Sequence, residues 1–189
     1  MAGSGSRKWP VIATVAVLAG LAAGATAVAL VGSAQRRDDR AAYLRYERAL
    51  LPSLREGGRI VQEEMKPSIR ELGDGNLSPK MALERAGAWR AQFARILTDV
   101  EALDPPGFLA GVEPRWKVAL YAYERTAGVF ELAANASGAE RSRLLEQVTA
   151  DGSRADSMFD NAARLMQFHR RRLGLGPTSQ LPDPAATEK

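Results

Sequence analysis

Residues 78–103 read SPKMALERAGAWRAQFARILTDVEAL. Ala82, Ala86, Trp89, Phe93, Ile96, Val100 and Leu103 recur every three or four positions, the period of one face of an α-helix. Ser78 stands where an N-cap belongs, and Pro79 follows at the first helical position, where its missing N–H is no loss. Asp104-Pro105-Pro106-Gly107 then stops the helix, because two prolines remove donors and crowd the preceding turn. The segment predicts one amphipathic helix whose apolar face must be covered by something else.

The same period extends in both directions. Upstream, Tyr43, Tyr46, Leu50, Leu54, Gly57, Val61, Met65, Ile69 and Leu72 form a stripe on a helix from about Arg36 to Leu72. Pro52 and Pro67 are expected to kink it, and Gly57-Gly58 is a second weak point. The stripe keeps its phase through both prolines, so one bent helix is expected rather than two elements. Gly73-Asp74-Gly75-Asn76 reads as the turn into Ser78. Downstream, Leu109, Val112, Trp116, Leu120, Tyr123, Ala127, Phe130 and Ala134 mark a helix from about Phe108 to Ala136, with Pro114 near its start.

Ser137-Gly138-Ala139-Glu140 has the form of a capping box, in which a serine oxygen and a glutamate satisfy donors at a new helix start. That helix carries Leu145, Val148, Gly152, Ala155, Phe159, Ala162, Met166, His169 and Leu173. Gly174 suits its C-terminal cap, with Leu175 as the apolar follower. Short connections make successive helices antiparallel neighbours. Helical stripes that can be buried only against one another predict an antiparallel four-helix bundle over 43–174.

A different signal precedes the bundle. Residues 11–31, VIATVAVLAGLAAGATAVALV, contain no charge. A helix of that length spans about 31 Å, matching a bilayer's hydrocarbon core. Arg7, Lys8 and Trp9 flank one end, and Arg36, Arg37 and Arg40 flank the other, as interface anchors. Ala25-Thr26-Ala27 also resembles a signal-peptidase site, so a cleaved leader is the rival reading. Ala16, Gly20 and Gly24, spaced by four, would let two such helices approach closely as a dimer seam.

The expected organisation is therefore all-α. A basic tail (1–10) leads into a single transmembrane signal-anchor helix (11–31) and a juxtamembrane segment (32–42). The bundle (43–174) follows, its first helix kinked and able to run on from the membrane span, and a disordered tail (175–189) closes the chain. Local Lys/Arg bias argues for a cytoplasmic bundle, but long polar domains cross regardless of charge, and an extracytoplasmic bundle is favoured.

Composition narrows the chemistry. The chain lacks cysteine, which removes disulfides, thiolate metal sites and cysteine nucleophiles. A net charge of +4 arises from interspersed signs, without the one-sided basic face that nucleic acid requires. His169 is the only histidine, so a di-iron bundle with paired Glu-x-x-His motifs is out of reach. Asp74, Asn76 and Ser78 begin like a calcium loop, but Pro79 and Arg85 occupy its glycine and closing-glutamate positions. Asp156 and Asp160, one turn apart, read as a solvated face shared with Arg154 and Arg164. His169-Arg170-Arg171-Arg172 reads as a cationic helix terminus opposing the dipole. Trp89, Phe93, Trp116, Tyr123, Phe130 and Phe159 read as core aromatics at helical spacing.

No catalytic residue, cofactor site or metal site is assigned. The expected function is that of a non-enzymatic, membrane-anchored helical interaction or scaffold protein of a bacterial cell envelope. Its partners would be the lipid bilayer and either a protein or a second copy, with no nucleic acid. The alternative is an extracytoplasmic sensor or accessory bundle that binds a small apolar ligand in its core.

Overall fold

The computed structural model describes residues 9–176 and 178, with side chains from residue 34 onward. Among these residues the chain is helical and has no strand. Helix α1 is Trp9–Arg59, followed without a break by a π-helical turn, Ile60–Met65, and by α2, Lys66–Gly73. Helices α3 (Pro79–Glu101), α4 (Glu113–Asn135) and α5 (Gly138–Arg172) complete the set. The chain divides into two compact units, residues 1–41 and 42–189. In the first, Gln35 donates to Asp39 one turn on, and Arg36, Arg37 and Arg40 are exposed along α1. Arg7 and Lys8 lie outside the described residues, as do the side chains of Trp9, Ala16, Gly20 and Gly24. No helix among the described residues is long and apolar enough to cross a membrane, and the side chains of 11–31 lie outside that description.

The second unit is a helical bundle, and its pairing follows from the cross-links. Along the α1–π–α2 run, Tyr43 meets Met166, Lys66 meets Asp156, and Gly73 faces Leu145, so the run is antiparallel to α5. Glu56 pairs with Arg95, Glu64 with Trp89 and Glu71 with Arg85, so it is antiparallel to α3 as well. Helix α4 packs against both α3 and α5. The four stripes meet in one core, in which Tyr43, Leu50, Trp89, Phe93, Trp116, Leu120, Phe130 and Met166 are fully buried. Phe93 stacks on Tyr123, and Phe159 sets its ring edge-on to Trp116 at 4.8 Å between centroids.

The local signals divide into those the structure keeps and those it revises. Ser78 caps α3, accepting from the Met81 N–H at 3.3 Å, with Pro79 at the start. Gly75, at φ +75°, makes the turn before it. Gly174, at φ +67°, ends α5, and the Leu175 N–H reaches back to the Arg170 carbonyl at 3.0 Å, the longer bond of a Schellman cap.

Three expectations are corrected. The first concerns Pro67. The irregularity in the first long helix is a π turn just before it, where the Lys66 N–H bonds to the Val61 carbonyl five residues back. A proline ring inside a helix crowds the carbonyl four residues earlier, here that of Glu63, and the wider turn accommodates it. Pro52 lies exposed within α1. Second, the helix expected from Phe108 begins at Glu113. Gly107–Leu109 forms a 3-10 turn first, and Pro114 takes the opening turn of α4. Third, Ser137 precedes α5 but makes no side-chain cap bond. Gly138 adopts φ +55°, which turns the chain away from capping-box geometry. Arg141 Nε bonds instead to the Ala136 carbonyl at 2.9 Å.

Two glycines give opposite expectations for stability. Gly87 lies inside α3 with nothing within 4 Å of where an alanine methyl would sit, so Gly87→Ala should raise stability by about 0.5–1 kcal/mol through helix propensity. Gly138→Ala should lower it by about 1–2 kcal/mol, since its φ is left-handed. Denaturant unfolding of the two variants checks the opposite signs.

Candidate functional site

The π turn shifts the helix register where the first long helical run faces α4 and α5, and a groove lies there. Its volume is about 380 Å3. Val61 and Met65 come from the π turn, Ile69 from α2 and Val148 from α5, and they form apolar walls. Tyr123 and Thr126 of α4 form the floor, both buried. Gly152, which faces Thr126 across a space where a Cβ would sit 3.9 Å from the threonine methyl, keeps the α5 wall low. A second hollow of about 320 Å3 adjoins it, sharing Val61, Tyr123 and Asp156 and bordered by Phe159 and Asp160.

The polar groups of the groove are few and unequally satisfied. The Tyr123 hydroxyl donates to Asp156 Oδ1 at 2.6 Å, and Lys66 Nζ approaches Asp156 Oδ2 at 3.1 Å. Both carboxylate oxygens are thus engaged. Burial, reinforced by the bond to Asp156, holds the Tyr123 phenol above its ordinary range, so it remains a donor. The Thr126 hydroxyl is turned back to the Ala122 carbonyl at 2.8 Å. Arg70, one turn beyond Lys66 and exposed at the rim, has no ion pair or hydrogen bond from its guanidinium to any described residue.

Asp156 therefore departs from the solvated face expected of it. Arg154 pairs with Asp151 at 3.0 Å, while Asp156 turns inward to Tyr123 and Lys66. Its side chain is 35 % exposed, at the rim of the core. The core aromatics behave as expected for packing. Of the six, Tyr123 and Phe159 also border these hollows.

The basic end of α5 is also revised. Arg170 is not simply a terminal cation. Its guanidinium pairs with Glu47, which is 6 % exposed, and its Nε donates to the Gly176 carbonyl. Tyr43, fully buried, donates to Glu47 Oε1 at 3.2 Å and to the Met166 carbonyl at 3.1 Å. Burial first, and Glu47 second, raise the Tyr43 phenol above its ordinary range. This Tyr43–Glu47–Arg170 network fastens α1 to the end of α5. Tyr43 and Glu47 are one helical turn apart, but nothing in the sequence linked them to Arg170.

His169 sits between two rings, with centroids 6.1 Å from Phe108 and 5.5 Å from Phe168. Burial, then the neighbouring Arg172 charge, lowers its pKa below the ordinary 6.5. The unfolded chain consequently takes up the proton first as pH falls, so this residue makes stability rise with pH in the interval just below 6.5. His169→Asn should flatten that slope, which melting curves across about pH 5 to 7 would show.

On the far side of α4, Val118, Tyr121 and Leu132 are each about half exposed. They align along one face, beside a shallow hollow that reaches Arg90 of α3. Among the described residues no cluster of three or more acidic, histidine or cysteine side chains is placed to hold a metal ion, and Asp74, Asn76 and Ser78 serve the turn and the α3 cap. No protein-family model, curated protein or solved structure matches this chain.

Proposed function

We propose that this chain is a membrane-anchored, non-catalytic helical bundle that binds a small, largely apolar ligand in the groove beside the π turn. One observation carries the reading: an open groove of about 380 Å3 walled by Val61, Met65, Ile69 and Val148 at the edge of the core. Volumes from roughly 300 to 1,000 Å3, mostly apolar with a few placed polar groups, are typical of small-molecule sites. The π turn supports it, since such turns recur where a helix has been bent out of its regular packing for a purpose. The membrane anchor is supported by the uncharged residues 11–31 and the arginines after them. The bundle would then lie outside the cytoplasm, and its walls would be reached from the aqueous side.

Native mass spectrometry of the full chain released from its own membranes tests this. Gly152→Phe projects a ring into the groove, while Gly152→Ala adds only a methyl at ordinary contact distance. The wild type and Gly152→Ala should carry a bound small molecule that Gly152→Phe lacks. A bare wild-type chain, or equal occupancy in Gly152→Phe, contradicts the proposal.

The interaction or scaffold reading has its own support in the strip of Val118, Tyr121 and Leu132 on α4. Val118 and Tyr121 adjoin, Leu132 lies three turns on, and the exposed Arg125 between them would give such a face both apolar and charged contacts. Proximity labelling in the native cell, repeated with Tyr121→Glu and Leu132→Glu together, would lose specific neighbours if that face binds one.

A further inference from the structure

We infer that the groove takes an amphiphile with an anionic head, its apolar chain between Val61, Met65 and Val148 and its head at Arg70. The inference rests on the ligand-binding reading above and adds the charge of the head. Three charged side chains line the groove: Lys66, Arg70 and Asp156. The Asp156 charge is already matched by Lys66, and the Tyr123 hydroxyl holds its other oxygen, so it offers a cationic head no unpaired charge. Lys66 is in turn matched by Asp156 at 3.1 Å. Arg70 alone remains without a partner among the described residues, and it stands one turn from Lys66 on the same side of α2. The surplus charge facing the groove is thus a single guanidinium.

A guanidinium is a planar fork that binds a carboxylate or phosphate through two parallel N–H bonds. An alcohol head would gain one weaker bond there, and an ammonium head would be repelled. The apolar walls exclude a bare ion as the natural occupant, since they would offer it no compensation for lost hydration. The ligand class is therefore a carboxylate or phosphate monoester on an alkyl or comparable apolar body. Either a free acid or an anionic membrane lipid satisfies it.

Methyl NMR of Met65 in the full chain, held in nanodiscs of zwitterionic lipid, separates the possibilities. Titration with octanoate, octanol and octylammonium is expected to give at least tenfold tighter binding for octanoate. Arg70→Gln should remove that preference, and Arg70→Lys should keep part of it; Arg70 is exposed, so neither variant threatens the fold. Inorganic phosphate alone should leave Met65 unmoved. Replacing part of the lipid with phosphatidylglycerol assigns the source: competition with octanoate points to a bilayer lipid, and unchanged octanoate binding points to a free acid, both in agreement with an anionic head. If the three amphiphiles bind alike, or phosphate alone shifts Met65 as octanoate does, the inference is overturned while a ligand site remains. If none of them shifts Met65, the ligand reading itself falls.

Discussion

Arg170→Met lowers the stability of the bundle by about 3–5 kcal/mol, the usual cost of removing one partner from a buried ion pair. Glu47 is 6 % exposed and the Arg170 side chain 14 %, so the carboxylate left behind has little access to water. The Tyr43 hydroxyl, which divides its bond between Glu47 and the Met166 carbonyl, cannot replace a full charge. A loss of that size is a large part of the stability of a domain, commonly about 5–15 kcal/mol. Glu47→Leu combined with Arg170→Met should recover most of it, because two apolar groups leave no uncompensated charge. Chemical denaturation of the single and double variants measures both. A single variant within about 1 kcal/mol of wild type, the scale of an exposed pair, would mean that the network is merely a surface contact.

The second large effect concerns Trp89. This side chain is fully buried, packs on Phe130 at 5.1 Å between centroids, and donates its indole N–H to Glu64 in the π turn at 3.0 Å. Trp89→Ala leaves a cavity and should cost about 3–5 kcal/mol. For a domain of this size that corresponds to a fall in Tm on the order of 10 °C. Trp89→Phe keeps most of the volume and loses the bond to Glu64, which Arg59 still holds at 2.6 Å. It should therefore cost much less than the alanine variant. Differential scanning calorimetry of the two variants checks the ordering.

The helices and their buried faces were legible because a period near 3.6 leaves no other way to hide Trp89, Phe93, Ile96 and Val100 together. The first three stripes are buried almost throughout, but in α5 Leu145, Gly152, Phe159, His169 and Leu173 are only partly buried. The Ser78 cap and the Gly174 terminus were legible for the same reason, since each depends on residues adjacent in sequence. The capping box at Ser137 failed because Gly138 took a left-handed φ that the motif does not anticipate. The groove was not legible at all. It lies beside a π turn, and stripe spacing read through Pro67 cannot distinguish a wider turn from a regular one. Asp156 was misread for a related reason. Its charged neighbours in sequence, Arg154 and Arg164, suggested an exposed face, whereas Tyr123 and Lys66 reach it from other helices.

The ligand reading requires an open apolar groove between the π turn, α4 and α5. Crystals of the chain pressurised with xenon test it directly, because xenon settles in apolar space large enough to admit it. Xenon density is expected between Val61, Met65 and Val148 in the wild type and is expected to be lost in Gly152→Phe. Xenon found only elsewhere, with the Met65 and Ile69 side chains folded into the space, would contradict it.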